Sequence, residues 1–77
     1  TPSPFSAEAR ISFSLESATQ TVIDVFDLNG RKMETLLDAT MNPGVHTLTW
    51  KPLLSPGVYV LRLTSSGKAE VIKVVIQ

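Results

Sequence analysis

The stretch TVIDVFDLNGRKMETLL, residues 21–37, places a short polar turn between two apolar segments. Turn residues between two runs of strand-forming residues predict a β-hairpin, in which the chain reverses and pairs with itself. Asp27 stands at the first turn position and Gly30 at the fourth, which favours a type I turn followed by a left-handed glycine in a G1 bulge. The stretch therefore predicts two antiparallel strands joined by a bulged turn.

The type of turn determines which residues of the two strands face each other. The bulged turn would produce three pairs: Asp27 with Arg31, Val25 with Met33, and Ile23 with Thr35. A two-residue turn centred on Asn29 and Gly30 would pair Val25 with Glu34 instead. Because Glu34 is a poorer partner for a buried valine, the bulged turn is the preferred prediction.

The composition limits the classes of function. The 77 residues contain no cysteine, which excludes disulfides and thiolate metal sites, and a chain of this length builds one core. Seven basic residues balance seven acidic ones and are scattered along the chain, so we expect no nucleic-acid or anionic membrane partner. No apolar run is long enough to span a bilayer, and the N-terminus lacks the pattern of a signal peptide. Export would therefore require an entry signal elsewhere in a longer parent protein.

Outside the hairpin, apolar and polar residues alternate in short segments, which is typical of strands with one buried face. The predicted strands span residues 10–15, 45–51, 58–64 and 69–77, and the predicted connections span residues 38–43 and 51–57. Leu53 and Leu54 in the second connection are expected to close one end of the core. The last two strands are apolar on both faces over part of their length, which predicts central positions in a sheet.

About six or seven short strands without helical spacing predict an all-β fold, an antiparallel β-sandwich. The sandwich domain is expected to span residues 7–77. Pro2 and Pro4 alternate with small polar residues, so residues 1–6 are expected to form an extended linker from a larger parent protein.

The residues that could support catalysis or metal binding have simpler structural interpretations. His46, the only histidine, shares a strand face with Leu48 and Trp50 and is expected to pack there. Asp27, Asn29 and Asp38 superficially resemble a calcium loop, but the glycine comes at the fourth position, not the sixth. Three carboxylates lie on strand faces without a sign of a shared cleft: Asp24, Glu34 and Glu70. We therefore expect no enzyme activity, no cofactor, no metal and no small-molecule substrate.

Aromatic and basic residues offer two further alternatives. Trp50, Tyr59 and Phe26 could form a platform for sugars, although aromatic residues at strand spacing more often fill a core. Three basic residues can be explained as solvated strand ends: Arg31, Lys32 and Arg62. Lys73 lies among valines and isoleucines, where it could protect an edge strand from aggregation or belong to a recognition signal.

Several segments together resemble the C-terminal sorting domain of type IX secretion cargo in the Bacteroidetes group. The matching segments, in order, are Phe26-Asp27-Leu28-Asn29-Gly30-Arg31, a Pro-Gly turn before His46-Thr47-Leu48-Thr49-Trp50, Gly57-Val58-Tyr59-Val60-Leu61-Arg62-Leu63, and Lys73-Val74-Val75-Ile76. Pro4-Phe5 resembles the usual start of these domains, with Ser3 where Asn is common. The resemblance covers nearly the whole chain, and the most specific residues are Asp27, Gly30, Arg31, Gly57 and Tyr59.

This resemblance implies an Ig-like sandwich that acts as an address on a larger exported protein. An outer-membrane translocon would recognise the domain, and a surface sortase-like peptidase would remove it near the N-terminal linker. The expected destination is the outer membrane, the cell surface or the extracellular space. The expected signal is the last strand, Lys73, Val74, Val75, Ile76 and Gln77, which would add to a sheet of the partner by β-augmentation.

Two alternative functions remain open from the sequence. The Gly-x-Tyr strand also resembles the Ig-like domain of flagellar hook-capping proteins, which would make the chain a structural assembly module. The chain could also be a structural or carbohydrate-binding accessory module of a secreted glycoside hydrolase or another large protein.

Overall fold

The computed structural model describes residues 9–76, which form six strands. Within this range no helix is long and apolar enough to cross a membrane. The strands, in chain order, are β1 (Ala9–Leu15), β2 (Thr19–Asp27), β3 (Lys32–Met41), β4 (Gly44–Trp50), β5 (Gly57–Ser65) and β6 (Lys68–Ile76). The predicted linker, residues 1–6, and the predicted start at Pro4 and Phe5 lie outside the described residues.

The strands form two antiparallel sheets that pack face to face. One sheet has four strands in the order β3-β2-β5-β6, and the other pairs β1 with β4. Five buried apolar side chains form the centre of the core: Ile23, Val25, Trp50, Tyr59 and Leu61. The predicted all-β sandwich with six or seven strands is confirmed.

The period of two in the sequence explains which side chains are buried. In β1, Ile11, Phe13 and Leu15 are partly buried, whereas the residues between them are exposed. In β4, His46, Leu48 and Trp50 face inward in the same way. Alternation therefore predicted the buried face of both strands of the smaller sheet.

The opening hairpin has the predicted turn. The Gly30 N–H donates to the Asp27 carbonyl over 3.0 Å, and the Asp27 N–H donates to the Arg31 carbonyl over 2.9 Å. Gly30 has a φ of +87°, the left-handed conformation expected of a G1 bulge. The predicted pairing of Asp27 with Arg31 is therefore confirmed.

The predicted register beyond the turn is wrong. Val25 pairs with Glu34 and Ile23 pairs with Leu37, because two bulges in β3 each insert an extra residue. The first bulge leaves Met33 without a partner and 38% exposed. The second lies at Leu36 and allows both Leu36 and Leu37 to pack against the core. Burial of two consecutive leucines explains the departure from regular pairing.

The predicted loop over residues 38–43 is also wrong, because β3 continues to Met41 and only Asn42 and Pro43 connect it to β4. This part of β3 pairs with the first residues of β2. The Gln20 side chain contributes to the pairing, since its amide donates to Asp38 and its carbonyl accepts a bond from Thr40. A polar strand with cross-strand partners therefore replaces the predicted loop.

Two predictions about the end of the chain need correction. β5 is central, as predicted, but β6 is an edge strand with β5 as its only neighbour within residues 9–76. Leu54 packs against the core, whereas Leu53 is 95% exposed and closes nothing. The apolar residues on both faces of β6 therefore do not reflect burial between two neighbouring strands.

Candidate functional site

The turn between β5 and β6 determines which main-chain groups of β6 point away from the sheet. Ser66 and Gly67 have φ angles of 50° and 75°, as in a type I′ turn. Such a two-residue turn makes its flanking residues, Ser65 and Lys68, a hydrogen-bonded pair. Hydrogen-bonded and non-hydrogen-bonded pairs then alternate along the antiparallel ladder.

The β6 residues of the non-hydrogen-bonded pairs direct their N–H and C=O groups outward. This set, named the free edge of β6, consists of Ala69, Val71, Lys73 and Val75. No other strand within residues 9–76 pairs with these groups. The free edge is therefore a template for an added strand.

The structure places the predicted signal residues in two groups. Lys73 and Val75 belong to the free edge and are exposed, and Val75 has 63% of its surface accessible. Val74 and Ile76 face the other way and pack against the core. Gln77 lies outside the described residues. β6 therefore exposes Lys73 and Val75, whereas Val74 and Ile76 attach the strand to the core.

The four-stranded sheet has a second edge, β3, with a different form. The two bulges interrupt the pairing of β3 with β2, whereas β6 pairs with β5 over nine residues without a register shift. Bulges twist an edge away from a potential partner and are a common protection against strand addition. β6 is therefore the better template of the two.

The hairpin motif forms a hydrogen-bonded turn around one carboxylate. Asp27 Oδ1 accepts the main-chain N–H groups of Asn29 and Arg31, both over 2.9 Å. Its Oδ2 accepts from the Arg31 Nε over 3.2 Å. Asp38, the other residue of the calcium interpretation, instead accepts the Gln20 amide. The motif therefore stabilises the turn, and its residues do not converge on a ligand.

These contacts shift the titration of Asp27. The Arg31 main-chain N–H lowers the pKa of the carboxyl below its ordinary value of 3.8, with further lowering by Asn29 and by the Arg31 side chain. Desolvation opposes this shift. A carboxyl with a lower pKa in the folded state stabilises the fold above the unfolded-state pKa, and this contribution is lost as the pH falls through the folded-state pKa.

We therefore expect the wild-type melting temperature to fall more steeply below pH 3.8 than that of Asp27→Asn. The asparagine keeps an oxygen acceptor for the two main-chain N–H groups but does not titrate. Thermal unfolding followed by circular dichroism between pH 6 and pH 2 measures the difference. Parallel pH profiles for the two proteins would contradict a stabilising role of the Asp27 charge.

The second motif, Gly57 and Tyr59, lies at the start of β5. The Tyr59 hydroxyl donates to the Ser55 carbonyl over 2.7 Å, and the ring belongs to the core. A Cβ atom on Gly57 would lie 3.7 Å from the Tyr59 ring. The Tyr59 hydroxyl therefore ties the connection from β4 to the central strand, whereas a side chain at position 57 would make only an ordinary van der Waals contact.

The residues considered for catalysis and sugar binding make structural contacts. His46 stacks on Phe13 with ring centroids 5.4 Å apart, and its Nε2 lies 2.7 Å from the Asn42 carbonyl oxygen. Trp50 is 4% exposed and donates from Nε1 to Glu34 over 3.3 Å. Because Trp50 and Tyr59 are both buried, they fill the core, as favoured from the sequence, and the alternative of an aromatic platform for sugars does not form.

Asp24, one of the three carboxylates considered for catalysis, is buried between β2 and β3. Asp24 is 4% exposed, accepts from the Thr35 hydroxyl over 2.7 Å and lies 3.7 Å from the Lys32 ammonium group. Among residues 9–76, no three His, Cys, Asp or Glu side chains form a group that could hold a metal ion. Asp24 therefore connects β2 to β3 across the edge of the sheet.

A groove of about 860 Å³ lies between β1 and the β5–β6 hairpin. The smaller sheet has two strands and leaves the inner face of β6 partly open, so Ile72 is 54% exposed. Glu16, Lys68 and Glu70 lie among the lining residues, together with the apolar side chains of β1. The groove exists because the two-stranded sheet is too narrow to cover the whole inner face of the four-stranded sheet.

Fold and site together define a small all-β domain with an open sheet edge and a structural turn motif. Residues 2–77 match a family model described as a secretion system C-terminal sorting domain. Comparisons with curated proteins and with solved structures gave no match.

Because the match covers nearly the whole chain, the protein belongs to the family of C-terminal sorting domains of type IX secretion. It is a sorting signal of a family that implies a larger parent protein, the type IX secretion machinery, and export to the cell surface or extracellular space. Domains of this family are non-catalytic signals. The accessory-module alternatives are not favoured by this result.

Proposed function

We propose that an outer-membrane translocon recognises the sorting domain at the free edge of β6. In this proposal the signal comprises Lys73, Val74, Val75, Ile76 and Gln77. A strand of the translocon pairs with the outward main-chain groups of Lys73 and Val75 and extends the four-stranded sheet by one strand.

The outward main-chain groups of β6 are the observation that supports this proposal. Unpaired N–H and C=O groups at a sheet edge supply most of the affinity when a strand is added, and the side chains supply selectivity. The exposed apolar side chains of Val71 and Val75, 59% and 63% accessible, would be covered in the same step. β6 therefore combines unpaired main-chain groups with exposed apolar side chains.

After transport, the domain is separated from the parent protein. A surface sortase-like peptidase removes it near the N-terminal linker, residues 1–6, and releases the parent protein at the cell surface or outside the cell. The composition of the linker supports this step, because Pro2 and Pro4 favour an extended chain that fits a protease cleft.

Val75→Pro tests the edge, because proline removes the outward N–H of β6 and leaves the β5–β6 hydrogen bonds intact. Val75→Thr is the matched control, since threonine keeps the N–H and the branched Cβ. We expect Val75→Pro to reduce surface delivery of a periplasmic reporter fused to the domain by at least about tenfold in a type IX host. Val75→Thr should deliver at the wild-type level.

Urea unfolding of the purified fusions establishes whether Val75→Pro remains folded. If it does not, Lys73→Pro replaces it, because Lys73 is a second outward donor on the same strand. A folded proline variant that reaches the surface as efficiently as wild type would show that the β6 edge is not the recognised feature.

A further inference from the structure

We infer that the partner which pairs with β6 also covers the outer face of the β5–β6 hairpin with an acidic, apolar surface, an inference that rests on the proposed function. This face, named the valine face, points away from β1 and β4. It consists of Val58, Val60 and Arg62 on β5 and Val71, Lys73 and Val75 on β6.

The valine face has an apolar character that the solvent-exposed side of a sandwich does not require. Its four valines lie beside one another in the ladder, with Val58 paired to Val75, Val60 to Lys73, and Arg62 to Val71. Val71 and Val75 are more than half exposed. Contiguous exposed apolar surface of this kind marks an interaction site.

The charge of the valine face indicates the chemistry of the partner. The whole chain has a net charge of zero, but this face contains two cations and no carboxylate of its own. A neighbouring carboxylate, Asp24 on β2 beside Arg62, is 4% exposed and lies 3.7 Å from the Lys32 ammonium group. Neither Arg62 nor Lys73 forms an ion pair with a carboxylate of residues 9–76. Arg62 instead lies over the Phe26 ring, 4.6 Å from its centroid. A complementary surface therefore supplies carboxylates among apolar side chains.

The positions of the two cations show that an added strand is insufficient. A strand paired with β6 can place a carboxylate directly opposite Lys73, at the cross-strand distance of about 5 Å. Arg62 lies one strand further from the edge, about 10 Å from the added strand, because neighbouring strands are about 4.8 Å apart. The Arg62 guanidinium lies over Phe26 on β2, on the side of β5 away from the edge, so a second element of the partner must lie over the sheet to reach it.

A second copy of this chain is a less suitable occupant of the valine face. Two copies related by a two-fold axis would bring the same patch, with its two cations, against itself, and like charges at an interface cost free energy. The occupant of the valine face is therefore a protein surface of opposite charge in the secretion machinery.

Charge substitutions at Arg62 test the inference, because Arg62 lies outside the proposed signal residues. We expect surface delivery of the fused reporter to decrease in the order Arg62→Lys, Arg62→Gln, Arg62→Glu, with a loss of about tenfold or more for Arg62→Glu. Arg10→Glu is the matched control, since it makes the same charge change on an exposed residue of the other sheet. It should deliver at the wild-type level.

The outcomes separate this inference from the proposed function. If Val75→Pro blocks delivery and folded Arg62→Glu does not, the partner recognises the edge of β6 but does not cover the valine face. The proposed function then stands, and the further inference fails. If Arg62→Glu and Arg10→Glu reduce delivery equally, net charge explains the effect and the inference fails. Urea unfolding of each fusion identifies a loss of fold, and Arg62→Gln provides the milder change if Arg62→Glu is unfolded.

Two further measurements test other occupants of the valine face with the purified 77-residue chain. Binding to phosphatidylglycerol vesicles that Arg62→Glu abolishes would assign the face to a membrane and overturn the inference. Concentration-dependent dimers in sedimentation equilibrium that Arg62→Glu dissociates would assign it to a second copy. Neither binding nor dimerisation is expected.

Discussion

Trp50→Ala is expected to lower the free energy of unfolding by about 3–5 kcal/mol, as for other large aromatic side chains removed from a core. Trp50 is 4% exposed at the end of β4, and its indole donates to Glu34 on β3. The side chain therefore connects the two sheets by packing and by a hydrogen bond. A domain of 77 residues has a total stability of about 4–12 kcal/mol, so this one change removes a large part of it.

Urea unfolding followed by circular dichroism measures the loss. Trp50→Phe keeps most of the apolar volume and gives up the hydrogen bond, so a loss of about 1–2 kcal/mol is expected. Leu53→Ala is the surface control, because Leu53 is 95% exposed, and it should change stability by less than about 0.5 kcal/mol. A Trp50→Ala protein as stable as the Leu53→Ala protein would contradict the assigned role.

Removal of residues 73–77 is expected to abolish surface delivery of a fused reporter. The truncation deletes the outward groups of Lys73 and Val75, which the proposed function assigns to recognition. It also removes the core contacts of Val74 and Ile76, which should lower the free energy of unfolding by about 2–3 kcal/mol. A truncated fusion that still reaches the surface would exclude these residues as the signal.

The Trp50→Ala fusion separates the loss of fold from the loss of signal, because it keeps residues 73–77. The free edge exists only while β5 holds β6 in an extended strand, so a fusion with an unfolded domain should also remain undelivered. Normal delivery of an unfolded Trp50→Ala fusion would show that the machinery reads a linear peptide. That result would replace the folded edge by a sequence motif.

The sequence predicted the strands of the smaller sheet and β5 well, because each has a simple alternation. It did not predict the register of β3, since the bulges at Met33 and Leu36 depend on the packing of two consecutive leucines against the core. The stretch at residues 38–41 contains polar and small residues typical of a loop. Only its pairing with β2, supported by Gln20, makes it a strand.

The sequence analysis assigned the signal to the last strand, which stays a prediction, and it did not predict the geometry of that strand. The motif residues around Asp27 could be assigned to a turn, because Asx capping depends on neighbours along the chain. Apolar residues on both faces of β6 predicted a central strand, although Lys73 among them was also compatible with an edge strand. The position of Arg62 over Phe26 was also missed, because it requires two strands that are distant in sequence. Apolar residues on both faces of β6 thus indicated burial between two strands, whereas the proposed function assigns the exposed valines to contact with a partner.

The two bulges of β3 have a consequence for exported proteins at high concentration. Because only β6 is a good template in the four-stranded sheet, the β6 strand of one molecule finds no equivalent acceptor on the β3 side of the next. Head-to-tail growth into filaments through this sheet is therefore not expected, and two copies that met at β6 would leave no equivalent template for a third. The asymmetry of the sheet thus limits self-association while one edge stays open for a different protein.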